Sequence, residues 1–460
     1  MSVSKYPVVG DHHYFDGSPS LKDIIIALVQ VFCSYGLGFL LSYLLLRSMS
    51  IDLYGDFVLA QNTIYVVGGM LLLGTKNVQK RFMFAYWPDD FSNFSSFAWW
   101  HTLYVFKSIL IFSVVYSVVL LLLLGLGSLN FIALAEFHIM VWSLVASPFW
   151  AVFCVTSLYL LVGGYPLLFD FSVQILCNLV CVLCLGVLVY FQPNVTDYGL
   201  ILYTISSVFF AALVVVVCFF CLFRDVFLKV VNFDRSLIVK PEWTAHRLSS
   251  FLIDVSLFLP NTIVIFVVEF FSGQLVTGQF SLCFVVGGLP FLIHYVFCSL
   301  VLKSMRDWLS SFSARSFLNF RKVKDVHKSV QFVKNTNRVI FLFNLCFLMV
   351  IYFFGHEVLS MFNQDSEEAY YLLLEASLIS CLRGVYYPGY NFSLIYVGLS
   401  RFVGFIDLIM CLCLFVFGSF LVIFVGPADV MHLYLVLQGV QLVLSHYQFK
   451  KMTGFPFVLL

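Results

Sequence analysis

The sequence predicts an all-α integral membrane protein of about twelve transmembrane helices, arranged as two six-helix lobes. Three observations carry that reading. The 460-residue chain is 62% hydrophobic and 11% charged, with a mean hydropathy of +0.99, whereas apolar residues make up about half of an ordinary soluble domain. Its apolar runs recur at bilayer-spanning length. Threaded back and forth with the N-terminus inside, they leave 23 of the 25 Lys and Arg on one face. That asymmetry orients the chain, because short cytoplasmic loops keep Lys and Arg and translocated ones lose them.

Residues 1–21 form a polar cytoplasmic tail with Asp11, His12, His13 and Asp16, unlike a secretory signal. The first apolar run, Ile24 to Leu46, has about 23 residues and covers a hydrocarbon core of about 30 Å at about 1.5 Å per residue. No small-residue cleavage site follows it, so it stays as the first membrane helix. Further spans are expected at roughly 57–75, 102–126, 131–161, 166–191 and 198–223, completing a first lobe over 22–224. A charged cytoplasmic loop, 225–246, separates it from a second lobe over 247–450. The spans of that lobe are expected at roughly 249–270, 276–302, 337–355, 369–397, 402–425 and 430–449. A short tail, 451–460, returns to the cytoplasm. The long connections, near 76–101, 224–248 and 303–336, fall on the basic face. The last of these mixes bases with Phe312, Phe317 and Phe320, as an interfacial helix or a solvated loop would. Only Arg47 is left outside, and only Arg383 lies deep within a span. Glu357, Asp365, Glu367 and Glu368 share an outer loop, near 356–368, that has no base.

A local echo points to duplication. Gly55-Asp56-Phe57-Val58-Leu59 and Gly278-Gln279-Phe280-Ser281-Leu282 share the pattern Gly-x-Phe-x-Leu, 223 residues apart, each near the start of the second helix of its half. An even number of helices per half gives both repeats one orientation, related by an axis along the membrane normal.

The nearly balanced charge, net +1, gives no reason to expect a nucleic-acid partner. The bases from 303 to 338 suit a rim facing anionic lipid headgroups. All 13 Cys lie in apolar spans, as small buried hydrophobes do. No Gly-rich phosphate loop, His-x3-His pair or catalytic constellation stands out, so no cofactor, metal or catalytic residue is expected.

The run Gly36-x-Gly38-Phe39, Leu45-Leu46-Arg47, Asp52-x-Tyr54-Gly55, Leu73-Gly74 and Lys80-Arg81-Phe82 resembles the opening of the polysaccharide flippases of the MATE-like (MOP) superfamily, the Wzx-type O-antigen or repeat-unit transporters. The likeness resumes over 252–303 and 354–451. It includes Phe354-Gly355-His356-Glu357-Val358-Leu359 and Tyr396-Val397-Gly398-Leu399-Ser400-Arg401, and covers about half the chain. Many relatives end the seventh helix in Asp-Arg, where this chain reads Val268-Glu269-Phe270. The resemblance implies a MATE-like fold in a bacterial inner membrane, with both termini cytoplasmic, in lipopolysaccharide or related polysaccharide biosynthesis. It implies as substrate a lipid-linked oligosaccharide, undecaprenyl pyrophosphate carrying a sugar repeat unit, turned from the inner to the outer leaflet. Membrane lipids, a polysaccharide polymerase and other export machinery would be its partners.

A pyrophosphate headgroup needs a wet, positively charged cavity, because an ion in low dielectric costs several kcal/mol. Arg383 is the leading candidate, lying 14 residues from both Ala369 and Val397 and followed by Gly384, Pro388 and Gly389. An intramembrane Arg costs about 2.5–3.5 kcal/mol on insertion scales and marks a functional site by default. A structural pair with a carboxylate is the alternative. Glu375, about 12 Å along the helix and about 80° around it, cannot reach it directly. Tyr386, Tyr387 and Tyr390 could stack on sugars or simply pack. Arg47 could anchor the interface or line the cavity mouth. Candidates for ion coupling are Asp254, Asp407, Asp170, Glu375 and His294, since a buried carboxyl can hold a proton at neutral pH. Competing readings are a cation-coupled multidrug antiporter of the same fold, which would want deep acidic residues without a central Arg, and an integral-membrane polymerase or acyltransferase.

Overall fold

The computed structural model describes residues 21–86, 90–128, 139–162, 171–191, 195–231, 243–244, 247, 251–252, 259–291, 324–386 and 400–453. Among these all regular structure is helical. The first half comprises α1 (Leu21–Ser48), α2 (Ile51–Leu71), α3 (Thr75–Tyr86), α4 (Phe91–Ser128), α5 (Ile139–Ser143), α6 (Ser147–Val162), α7 (Cys177–Phe191) and α8 (Asp197–Val231). The second comprises α9 (Leu259–Ser272), α10 (Gln274–Val286), α11 (Lys324–Ser360), α12 (Glu367–Tyr386), α13 (Ser400–Phe424) and α14 (Asp429–Thr453). Each of the twelve expected spans meets one or more of these helices. Six helices are by themselves long and apolar enough to cross a bilayer, and α7, α9 and α10 are shorter apolar pieces.

The helices depart from the expected spans mainly at their ends. α2 begins at Ile51, six residues before the expected start, because the Ser50 hydroxyl caps it by accepting from the Leu53 N–H at 3.4 Å. The polar Asp56 is then no loop residue but a buried one, accepting from Gln274 Nε2 at 3.0 Å. The stretch expected as a connection over 76–101 folds largely as α3 and the start of α4. Val78, Phe82 and Met83 of α3 bury against Phe94 and Phe97 of α4. The basic stretch before span nine is helical from Lys324 onward. The outer loop expected near 356–368 is shorter, since α11 runs through Ser360 and turns at Asn363, which has φ +56°. There His356 Nδ1 meets Asp365 Oδ1 at 2.7 Å, and its ring stacks on Tyr370 at 4.2 Å.

Burial follows the membrane logic. Leu110, Ile111, Val114, Val115, Val118, Leu121 and Leu122 of α4 face outward, an apolar exterior far larger than a soluble monomer exposes. The first half is filled by aromatics: Phe57 lies 5.6 Å from Tyr203, Tyr65 4.2 Å from Trp150, and Trp150 4.9 Å from Phe153. In the second half α9 packs on α13, α11 on α12, and α14 on both α12 and α13. Trp243, between the halves in sequence, is fully buried against Phe97 and Trp100 and donates to Tyr86 Oη at 3.3 Å. Nearby, the Arg247 carbonyl lies against Gly74, which adopts φ +73° and has no room for a side chain. The described part of the inter-lobe segment is thereby held to the first half.

The halves meet where α2 crosses α10, near the helix ends that the charge asymmetry assigns to the outside. The two echo glycines lie on each other there. A methyl on Gly55 would lie 2.8 Å from the Gly278 nitrogen, and one on Gly278 would lie 2.2 Å from the Ile51 carbonyl oxygen. Flanking contacts also join the halves: Tyr35 Oη donates to the Val286 carbonyl at 2.7 Å, and Phe39 stacks edge-on against Phe362 at 4.9 Å. Gly278→Ala should therefore destabilise the protein by about 1–3 kcal/mol, the usual cost of overpacking. Gly186→Ala, where a methyl meets open space, should be neutral or stabilising by up to about 1 kcal/mol. Thermal unfolding in detergent checks both, and equal behaviour of the two variants would mean that the crossing is not a tight contact.

Candidate functional site

α12 carries Arg383 into the second half. Its positions 376, 379, 380 and 383 share one face by helical periodicity, and Ala376, Ile379, Ser380 and Arg383 line a cavity of about 220 Å³. α10 supplies the facing wall and ends there. The Gly287 N–H bonds back to the Cys283 carbonyl at 2.8 Å and the Gly288 N–H to Val285 at 3.3 Å, closing the helix before Pro290. The Phe291 N–H is shared between the Gly288 carbonyl at 3.0 Å and Ser380 Oγ at 3.2 Å, which ties this turn to α12. Asn261 of α9 completes the described lining, among which no residue is acidic. The space suits several waters or a small polyatomic anion.

Arg383 is buried, with 6% of its surface exposed. Its Nη1 donates to Asn261 Oδ1 at 2.8 Å, and its Cζ lies 4.8 Å from the centre of the Phe291 ring. A hydrogen bond from a charged group is worth about 1.5–3 kcal/mol and a cation–π contact about 0.5–2 kcal/mol. Both of these partners are neutral. Tyr434 Oη of α14 donates to the same Asn261 oxygen at 2.7 Å. Tyr434 begins a buried polar stripe with Gln438, Gln441 and Ser445, spaced 4, 3 and 4 residues apart on one face of α14. Gln441 Nε2 donates to Asp407 Oδ1 of α13, and Gln438 Nε2 points at Met410 Sδ. Arg383 and Asp407 both lie within electrostatic reach of the Tyr434 hydroxyl and the Cys411 thiol.

The structure thus brings Arg383 and Asp407 into one polar region of the second half. Glu375 is held apart, its Oε1 2.7 Å from His432 Nε2, with Asp429 Oδ1 3.5 Å from His432 Nδ1. Arg47 is exposed in the last turn of α1, its Cζ 5.0 Å from the centre of the Tyr43 ring, as an interface anchor would be. Asp170, Asp254, His294, Tyr387 and Tyr390 lie outside the described residues, as does the Tyr386 side chain. Asn261, Ser380, Phe291 and Tyr434 were missed by the sequence reading. The polar spacing on α14 and a lone Asn in the apolar run of α9 were the available signals. No cluster of His, Cys, Asp and Glu that could hold a metal occurs among the described residues.

A buried cation beside a polar cavity in the second half of an all-helical, apolar bundle defines the candidate site, and comparison with solved structures identifies the fold. The chain is similar to an outward-facing multidrug resistance MATE family transporter of the MOP superfamily (TM-score 0.61, 13% identity, covering 96% of this chain and 97% of that one). A MATE in complex with MaL6 gives TM-score 0.62 at 13% identity, with 96% and 99% covered. A MOP superfamily transporter from Pyrococcus furiosus, described as having a binding pocket of reverse polarity that suggests a different function, gives 0.63 at 13% identity, with 96% and 97% covered. The chain therefore has the MATE fold over nearly its whole length. No protein-family model and no curated protein matches it.

Removing a partner from a buried carboxylate costs about 1–3 kcal/mol. Gln441→Leu should lower unfolding stability by that amount, and Asp407→Asn, which preserves an amide–amide bond, should lower it less. Thermal melts in detergent compare the two, and a silent Gln441→Leu would dismiss the Asp407 bond as a stabilising contact.

Proposed function

We propose that the protein is a flippase that carries a lipid-linked oligosaccharide, a polyprenyl pyrophosphate bearing a sugar repeat unit, across a bacterial inner membrane by alternating access. The observation that carries this reading is the buried guanidinium of Arg383 in a cavity whose described lining is free of acidic groups. Pyrophosphate is an oxyanion, and the guanidinium fork matches phosphate oxygens. The cavity takes the charged phosphates, the sugars occupy the wider space between parted lobes, and the prenyl tail remains in lipid. The resemblance of Gly36 to Phe82 and of the second half to the polysaccharide flippases points the same way. Asp407 and Glu375 are the described groups that could couple the cycle to protons. A polysaccharide polymerase and export machinery are the expected partners in the same membrane.

The rival on the same fold is a cation-coupled multidrug antiporter, since some of the structural neighbours are named multidrug resistance transporters. A cationic drug would be repelled by Arg383, which favours the anionic substrate. The pocket of reverse polarity in the Pyrococcus protein supports the idea that this scaffold accepts pockets of either sign. A polymerase or acyltransferase would need a catalytic constellation that neither the sequence nor the described site offers.

Purified protein in liposomes, with a labelled prenyl-pyrophosphate sugar followed by its sidedness, tests the reading. Wild type should move the label between leaflets. Arg383→Ala should reduce that rate by at least about tenfold, equivalent to about 1.4 kcal/mol, with membrane insertion unchanged, and Arg383→Lys should retain part of it. Normal transport by Arg383→Ala, a change in sugar chain length, or extrusion of cationic dye in place of flipping would each rule out the proposal.

A further inference from the structure

We infer that Asn261, locked by Tyr434, sets the sign of charge that the Arg383 cavity accepts, acting as a positioning residue for the guanidinium and as a second donor to the bound anion. This rests on the oxyanion reading of the site. Arg can only donate hydrogen bonds, so the atom of Asn261 that meets Nη1 at 2.8 Å must be the carbonyl oxygen. Tyr434 Oη donates to that same oxygen at 2.7 Å. Two donors from two different helices therefore converge on one acceptor. Rotating the amide by a half turn would set its N–H groups against the guanidinium N–H groups, so the orientation is fixed by chemistry. The amide nitrogen must then point away from both donors, and Asn261 borders the cavity. With the guanidinium, the amide N–H groups and the Ser380 O–H on its wall, the cavity presents donors, and a phosphate-type oxyanion supplies only acceptors.

The same geometry makes a single isosteric change decisive. In Asn261→Asp the carboxylate would still accept from Arg383 and Tyr434. It would cancel the positive charge and replace the donor edge by an acceptor edge. Tyr434→Phe would leave the amide held by one bond in place of two.

Equilibrium binding of inorganic pyrophosphate and of tetraphenylphosphonium to the purified full-length protein in detergent tests this, alongside the flipping assay. Wild type should prefer pyrophosphate. Asn261→Asp should weaken pyrophosphate by at least about tenfold while binding the phosphonium cation more tightly, and Tyr434→Phe should weaken pyrophosphate by about threefold or more. Asn261→Leu, which removes the acceptor without adding charge, should weaken pyrophosphate without any gain for the cation. This variant also keeps the test open should Asn261→Asp not fold. Unchanged anion-to-cation selectivity in a folded Asn261→Asp or Asn261→Leu protein would overturn the inference, as would a wild type that prefers the cation. The two readings separate cleanly. Pyrophosphate binding that depends on Asn261, in a protein that flips no prenyl-linked sugar, leaves this inference and removes the flippase. Flipping that survives Asn261→Asp and Asn261→Leu does the reverse.

Discussion

The cost of holding a guanidinium inside a membrane-spanning helix shapes the second half of this protein. An ion taken out of water loses several kcal/mol even after relaxation, and Arg383 keeps only 6% of its surface exposed. The surrounding structure supplies what water would have supplied. Asn261 accepts from the guanidinium, the Phe291 ring presents its face to it, and the break in α10 opens a polar space beside it. That break frees backbone groups at membrane depth, which are tolerated only where protein or trapped water satisfies them. There the Phe291 N–H bonds both to the Gly288 carbonyl and to Ser380, one turn before Arg383. The interruption of α10 and the charge on α12 are therefore two parts of one solution.

The repeat gives this asymmetry a measure. α2 and α10 begin 223 residues apart, at Ile51 and Gln274, the same offset that separates Gly55 from Gly278. At that offset Asn261, Arg383, Asp407 and Tyr434 correspond to Gly38, Leu160, Cys184 and Ala211. All four counterparts are small or apolar, and Leu160 and Ala211 lie in the hydrophobic core. At these positions the second half thus carries charged or hydrogen-bonding side chains where the residue 223 positions earlier has none of comparable polarity. The glycine crossing is what the halves retain in common, because close approach of two backbones constrains both copies alike.

Much of the fold was legible because lipid imposes a simple code: length, apolarity and the side on which bases fall. That code marked spans that each meet one or more of the described helices, and it singled out Arg383 as the cation that violated it. It failed at helix ends, where polar residues are equally at home in a loop or on a buried face. Asp56 lay just outside the expected span, and its burial depends on Gln274, 218 positions away, which donates to it. α3 was missed because a polar helix of 12 residues carries no spanning signal. Asn261 and Tyr434 were missed for a different reason. Each is an unremarkable polar residue in its own helix, and their meaning comes from contacts 122 and 173 residues apart. The 4-3-4 spacing of Tyr434, Gln438, Gln441 and Ser445 was visible in sequence and marks a polar face, but spacing alone does not say what that face meets.

α10 ties the crossing to the site. Gly278 packs on α2 near one end of this helix, and Phe284 and Val285 line the cavity six and seven residues further on, about 9–10 Å along a continuous rod. Over so short a length a helix behaves as a rigid element, so the contact with α2 and this wall of the cavity are held by one rod. The wall faces Arg383 across the gap, and its last ordered turn ends at the glycines that leave room for Phe291. The glycine crossing is thereby linked, through a single helix, to the space around the buried charge. No chain of small adjustments is needed to connect them, because one helix belongs to both.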